Sequence, residues 1–461
     1  MKKEEVYSDE PFRKLCSFIS QLSYEDIPSE IVEYAKILIA DYHIASIAGY
    51  RYNPEYSLAV KDIVFDMGGN EESSVFFSNR KFPASQAAFL NATYCHGADM
   101  DDGHHRSEAH LGVTIMPAVF ALAETLKSSG KDVLLAVIVG YEVFSRVAMA
   151  MLPNHMMRGF HVTGTVGAIA ATAACCKLLH FNSEETYNAI SLSTTQACGL
   201  VIVGESGQMC KPMNPARAGE TGIWSVRLTQ KGVVAFENPF ESIKGYYHSF
   251  SDEHDPEMLS RNLGEVYEIM NCYIKLYPSC RHTHAGNDVA LKIVEEHGLL
   301  KDAKSITIKT YPHAVHIVGW NDAPKNKNEA KFSMYYTVGC IALFGGYNLE
   351  NLNDFEEQRK EVIEFAKKIK ILSDDKYEDM PNGIRGAEMS VVMNDGKNYF
   401  AAVDMGSGEG KSRVDWEGLK LKASLCCSGM KEQSVIDDLL DYCKSFENQE
   451  KFKVYNMPNL F

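Results

Sequence analysis

Val133–Met151 reads VLLAVIVGYEVFSRVAMAM, and a little further on Thr165–Leu179 reads TVGAIAATAACCKLL. These two stretches decide the fold. The first is apolar on nearly every side, the mark of a helix surrounded by other helices or by lipid. Its longest apolar run, Leu134 to Phe144, is too short to cross a bilayer and contains Gly140 and Glu142. The second carries Gly167, Ala168, Ala170, Ala171, Ala173 and Ala174, and side chains that small let helices approach closely. Both belong inside a helical bundle.

Working outward, the rest of the first 270 residues also reads as helical. Ala35, Leu38, Tyr42 and Ala45 keep helical spacing after Ile31, with Gly49 as a stop. Pro83 to Cys95 is alanine-rich. Pro117 is expected near the start of a helix that runs to a stop at Gly130, and Ser183 is expected to cap another, with Glu184 and Glu185 in its first turn. Beyond about Met270 the period changes. Ser305–Tyr311 alternates as a half-buried strand does, Lys370–Leu372 is a weaker strand, and Ala387–Asp404 reads as a hairpin turning at Asn394-Asp395-Gly396. Helical stretches lie between them near Tyr335–Leu343 and Asp354–Lys368. In the tail Val435, Ile436, Leu439, Leu440, Cys443 and Phe446 form one apolar stripe that must be covered, so the chain returns to the first bundle. The expected fold is mainly α: a large all-helical domain (1–268), a smaller α+β domain (269–410) inserted before a C-terminal helical return (411–461).

Composition narrows the function. The chain has 461 residues, 45% hydrophobic and 23% charged, which excludes a disordered, collagenous or coiled-coil protein. Its 46 basic and 61 acidic residues leave a net charge of −15, which argues against nucleic acid or an anionic membrane as partner but permits a small anionic substrate in a local positive pocket. No apolar segment follows Met1-Lys2-Lys3-Glu4-Glu5, and the twelve cysteines include no CxxC pair, so a reduced, cytoplasmic protein is expected.

Four polar clusters interrupt the apolar helices. His96-Gly-Ala-Asp99-Met-Asp101-Asp102-Gly-His104-His105-Arg106-Ser-Glu108-Ala-His110 packs three aspartates and four histidines into fifteen residues. Gly159-Phe160-His161-Val162-Thr163-Gly164 precedes the small-residue helix, so its amides lie at a helix N-terminus, where an anion is welcome. Lys211 sits among apolar and small residues, and a buried lysine needs an anion. Lys275-Leu-Tyr-Pro-Ser-Cys280-Arg281-His282-Thr-His284 lies where the helical and mixed regions join, a common place for a cleft. His104, His105 and His110 with Asp99–Asp102 could ligate zinc or iron, but no HExxH occurs and no metal is expected. Phosphate loops are poorly supported, and the GxSxG of a serine hydrolase is missing.

In this order, the clusters resemble the MmgE/PrpD family, which contains 2-methylcitrate dehydratase, cis-aconitate decarboxylase and iminodisuccinate epimerase. Asn91-Ala-Thr-Tyr-Cys-His96-Gly-Ala-Asp99-Met-Asp101-Asp102, Gly159-Phe160-His161-Val-Thr163, Lys211 with Arg217-Ala218-Gly219, Lys275-Leu-Tyr277-Pro278-Ser-Cys280 with His284, and Ala330-Lys-Phe332-Ser333-Met-Tyr335 each resemble a family pattern. The resemblance implies a helical domain with an α+β lid, a homodimer, no metal or organic cofactor, and a site between the two domains. It implies catalytic roles for Asp99, His110, His161 and Tyr335, and substrate contacts from Lys211, Lys275, Cys280 and His284. Gly103 and Cys280 depart from the decarboxylase branch, which carries threonine and histidine there, and Glu108 argues against a substrate carboxylate at its wall. The expected activity is dehydration of a 2-methylcitrate-like hydroxy acid. The alternatives are epimerisation of an iminodisuccinate-like acid, then decarboxylation of a cis-aconitate-like acid, then a catalytically silent carboxylate-binding relative. A metallohydrolase built on the histidine cluster is a further class.

Overall fold

The structure is a computed structural model that describes residues 8–205, 207–377, 385–427, 433–455 and 457. It is mainly α-helical, with one small mixed sheet and two short two-stranded pairings. Gly130–Met149 and Val162–Leu178, the helices of the two opening stretches, are buried almost throughout and pack on each other. Around them lie Gly112–Leu126, Met213–Gln230 and Ala84–His96. The small residues set these distances. A Cβ on Gly167 would lie 2.6 Å from Thr114, and one on Gly222 would lie 2.8 Å from Ala171. Any larger side chain at either position would drive two backbones apart.

Two charges inside the apolar helix have a structural use. Glu142 and Arg146 pair at 2.7 Å. Glu142 accepts from the Glu268 amide at 2.8 Å, and Arg146 donates to the carbonyls of Met258, Arg261 and Val266. The pair thus ties down the segment that leads to Lys275.

Two helix starts differ from the sequence expectation. Gly112, not Pro117, opens its helix, and Pro117 sits in the second turn. Asn182, not Ser183, caps the next helix, because its side chain reaches the amides of Glu184 and Glu185 while Glu185 returns a bond to Asn182.

The mixed sheet runs in the order Ile369–Ser373, Ala303–Thr310, Ala387–Met393, Asn398–Val403. The first two strands are parallel, and the others are antiparallel. A parallel pair needs a crossover, and here it includes Pro312–Val318, Met334–Phe344 and Phe355–Ala366. His284–His297 covers one face of the sheet and packs on Met334–Phe344. At the C-terminus, Trp416–Cys426 and Gln433–Lys444 return to Ser29–Tyr52. There Lys422 is buried, 2.5 Å from Asp41 and 2.7 Å from the Met100 carbonyl. Among the described residues no helix is long and apolar enough to cross a membrane, and all twelve cysteines are unpaired.

Candidate active site

Between the end of helix Ala84–His96 and the start of Gly112–Leu126 the chain makes a buried polar loop in which three aspartates meet three fates. Asp99 sits in the left-handed region, at φ +57°, which aspartate tolerates better than most residues. This turn sends its carboxylate to Lys211, at 2.5 Å, and Lys275, at 3.2 Å; Lys275 also donates to the Asp99 carbonyl at 2.9 Å. Burial alone would push the Asp99 carboxyl up, but the two ammonium groups outweigh it and hold the carboxyl well below its usual range. Asp101 accepts from His96 Nδ1 at 2.8 Å and faces His110 Nδ1 at 3.1 Å. Burial again opposes ionisation, and the two imidazoles again outweigh it. Asp102 points away, to the Tyr141 hydroxyl at 2.9 Å and the Gly112 amide at 3.2 Å. Burial and the neighbouring Asp41 and Asp101 push its carboxyl well above the usual range, against the two hydrogen bonds it accepts.

His161 is the residue before helix Val162–Leu178, and its amide donates to the Gly199 carbonyl. From the same helix Thr163 accepts the His110 amide at 3.2 Å, which links the two histidine segments. Burial, followed by the positive charge of Lys211, drives the His161 pKa well below 6.5. Burial likewise lowers that of His110, against the pull of Asp101. Both imidazoles are therefore neutral at pH 7.

These groups open into a cavity of about 550 Å³. Asp99, His110, His161, Lys211, Lys275 and Cys280 line it together. His284 and Tyr335 do not. His284 lies behind, its Nδ1 3.1 Å from the Arg281 guanidinium. Tyr335 is half-buried, and burial and Asp322 raise its phenol pKa beside the Ile371 backbone. The cavity wall also holds residues that the sequence did not single out: Tyr273, His313, Ile317, Trp320 and Arg385. Two of these bear on the departures noted above. A Cβ on Gly103 would lie 2.4 Å from the Tyr273 hydroxyl, so a phenol fills the space a side chain at 103 would take. Arg385 lies 3.5 Å from Glu108 and 3.2 Å from the His105 carbonyl, so Glu108 is countered by a cation.

His96, Asp99, Asp101 and His110 offer donor atoms within 4.8 Å of one another, the spread a metal ion would need. The two carboxylates are already engaged by cations and imidazoles. Asp99 is neutralised by two lysines, and Asp101 accepts from two imidazoles. A divalent cation would have to displace two ammonium groups, so the donor set fits carboxylate chemistry better than a metal. Fold and site together define a helical protein whose cavity sets two lysines, paired with Asp99, beside two histidines.

The comparisons with known proteins agree. The MmgE/PrpD N-terminal domain matches residues 13–259, and the MmgE/PrpD C-terminal domain matches residues 277–441. The chain belongs to the MmgE/PrpD family. It is 26% identical over 418 residues to a cis-aconitate decarboxylase-like protein of Aspergillus oryzae, covering 86% of each chain. It is 24% identical to a cis-aconitate decarboxylase of Aspergillus terreus, over 94% of this chain and 92% of that one. It is 26% identical to the human cis-aconitate decarboxylase, over 90% of this chain and 84% of the human one.

Proposed function

We propose that the protein is a cofactor-independent lyase that removes water from a small hydroxy-polycarboxylate of the 2-methylcitrate kind. The observation that carries this reading is the placement of His110, backed by the buried Asp101 carboxylate, in the same cavity as Lys211 and Lys275. Elimination needs a base beside an anion clamp. The lysines hold a substrate carboxylate by charge-assisted hydrogen bonds and stabilise the negative charge that builds when the adjacent carbon loses its proton. His110 is within the site to take that proton. The mostly apolar walls, with Phe160, Val162, Val201 and Ile317, exclude water and strengthen these interactions.

Decarboxylation of a cis-aconitate-like acid is the second reading, favoured by the names of the relatives. It needs no base, only charge stabilisation and a later proton delivery, and the same pocket supplies both. Proton NMR in deuterated buffer with a panel of citrate-like acids separates the readings. A new alkene signal with water lost supports dehydration. Carbon dioxide release supports decarboxylation. Deuterium entering the alpha carbon without net loss would mean epimerisation. No change with any acid would overturn the enzyme reading.

The same reading includes a homodimer in a reducing, cytoplasmic setting, with the sheet segment as a lid over the cavity. Exposed Trp224, Leu228 and Val234 give apolar surface for a second copy to bury, and the unpaired cysteines suit a reducing compartment. Sedimentation at micromolar concentration tests the dimer; a monomer there would remove it.

A further inference from the structure

Main-chain carbonyls, which can only accept hydrogen bonds, bear on the protonation of both cavity histidines. His110 Nδ1 lies 3.1 Å from the Asp102 carbonyl and 3.1 Å from the Asp101 carboxylate. Neither partner can donate, so Nδ1 carries the proton, and Nε2, 3.5 Å from the Asp99 carboxylate, keeps the lone pair. His161 is arranged the opposite way. Its Nδ1 lies 3.0 Å from Asn214 Nδ2, and that same amide nitrogen lies 3.4 Å from the Leu200 carbonyl. The carbonyl fixes which end of the Asn214 amide faces His161, because an amide oxygen there would meet a second acceptor. Asn214 therefore donates, His161 Nδ1 accepts, and the ring proton sits on Nε2.

We propose that Asn214 is a positioning residue that holds His161 as the neutral Nε2–H tautomer, making His161 a hydrogen-bond donor to the developing enediolate and leaving His110 as the base. This rests on the eliminating-lyase reading above. His110 Nε2 removes the proton alpha to the clamped carboxylate, and the C–H electron pair spreads onto the carboxylate oxygens. Those oxygens accept from the ammonium groups of Lys211 and Lys275 and from His161 Nε2–H. The electron pair then forms the carbon–carbon double bond as the neighbouring C–O bond breaks. The departing hydroxide takes the proton back from His110, which returns to neutral as water leaves. A neutral imidazole used as an electrophile is a known device, and its value lies in needing no proton of its own to be replaced.

The groups that face His161 all bear on its state. Lys211, His96, His110 and Asp99 act from the helical side, and Lys275, His282, His313 and Arg385 share the cavity. Only a substitution at 214 changes the tautomer while leaving these charges in place.

The test uses the full-length enzyme labelled with 15N-histidine, with His161 signals assigned by difference against His161→Gln. In the free wild-type protein we expect a protonated Nε2 on His161 and a protonated Nδ1 on His110. Asn214→Asp keeps the shape but accepts from Nδ1–H, so the His161 proton should move to Nδ1. Its kcat should fall by about 100-fold with KM within a few-fold, the loss expected when one hydrogen-bond donor to the developing charge is removed. It should also gain a second ionisation in its kcat/KM–pH profile. Asn214→Ala frees the tautomer and should cost only about tenfold. A merely structural role predicts the reverse order, because aspartate replaces the packing and alanine does not. A wild-type His161 protonated on Nδ1, or full kcat in Asn214→Asp, would overturn the proposal. The expected tautomers with no turnover of any citrate-like acid would instead sink the lyase reading and leave the assignment standing.

Discussion

On the helical side of the cavity, Asp99, Asp101 and His110 come from one stretch of twelve residues, and each is held by at least two partners. On the facing side His282, His313, Trp320 and Arg385 come from separate segments, and Trp320 is 64% exposed. The helical side is dry, interlocked and charged in fixed positions, which is what proton transfer and charge stabilisation demand. The facing side is wetter and assembled from loops and one short helix, Pro312–Val318, so its residues can change without dismantling the machinery. On the lyase reading proposed above, the difference assigns reaction chemistry to the first side and substrate choice to the second.

That division can be broken or sharpened by experiment, beginning with the largest effect. His110→Gln should lower kcat by about 1000-fold, within the range for a lost general base, with little change in melting temperature. A loss below tenfold would move the chemistry away from the helical side. Next, Lys422→Met should destabilise the protein by about 3 kcal/mol in urea unfolding, because it strips the buried Asp41 of its partner. Activity should fall further than stability explains, since the Met100 carbonyl between Asp99 and Asp101 loses its anchor.

The third effect reads the dryness of the helical side through pH. Burial lowers the pKa of His43 to about 4 and that of His96 to about 4. The unfolded chain protonates these groups near 6.5, so between pH 6.5 and 4 it binds more protons than the folded one. Stability is then fully present above 6.5 and lost as pH falls through 4. His43→Phe, well away from the cavity, should recover roughly 2–3 kcal/mol at pH 4 relative to its effect at pH 7.5. Equal effects at both pH values would show that the ring is not held neutral. Smallest is Trp320→Ala, which should raise KM less than tenfold and leave kcat unchanged. A large fall in kcat would mean that the facing side takes part in the chemistry.

Much of this was legible before the structure. Apolar runs and small-residue stretches gave the central helices, and Asn394-Asp395-Gly396 gave the hairpin, because periodicity and turn chemistry act locally. The helix ends were less legible. Asn182 caps the helix in place of Ser183 through a reciprocal bond with Glu185, three residues on, where Ser183 would meet Thr186. The polar-loop residues that share the cavity could be picked out, since carboxylates, lysines and imidazoles amid alanine-rich helices stand out. Tyr335 and His284 lie outside the cavity wall because a helix or turn residue faces one way only, and spacing along one strip of sequence does not say which. Asn214 carried a signal that was available: it lies three residues after Lys211, in the first turn of the helix that follows. Arg385 and Trp320 carried none, because they meet the cavity only through the crossover and the sheet.

The contact between Lys422 and the Met100 carbonyl also has a consequence for biosynthesis. The loop bearing Asp99 leaves the ribosome more than three hundred residues before the lysine that pins it. Until that late helix docks, the early bundle holds several like-charged carboxyls with only part of their neutralising set. A chain stopped short of residue 422 should therefore persist as a partly ordered, protease-sensitive species rather than as a smaller working enzyme. Quality control would meet the nascent protein at its acidic heart.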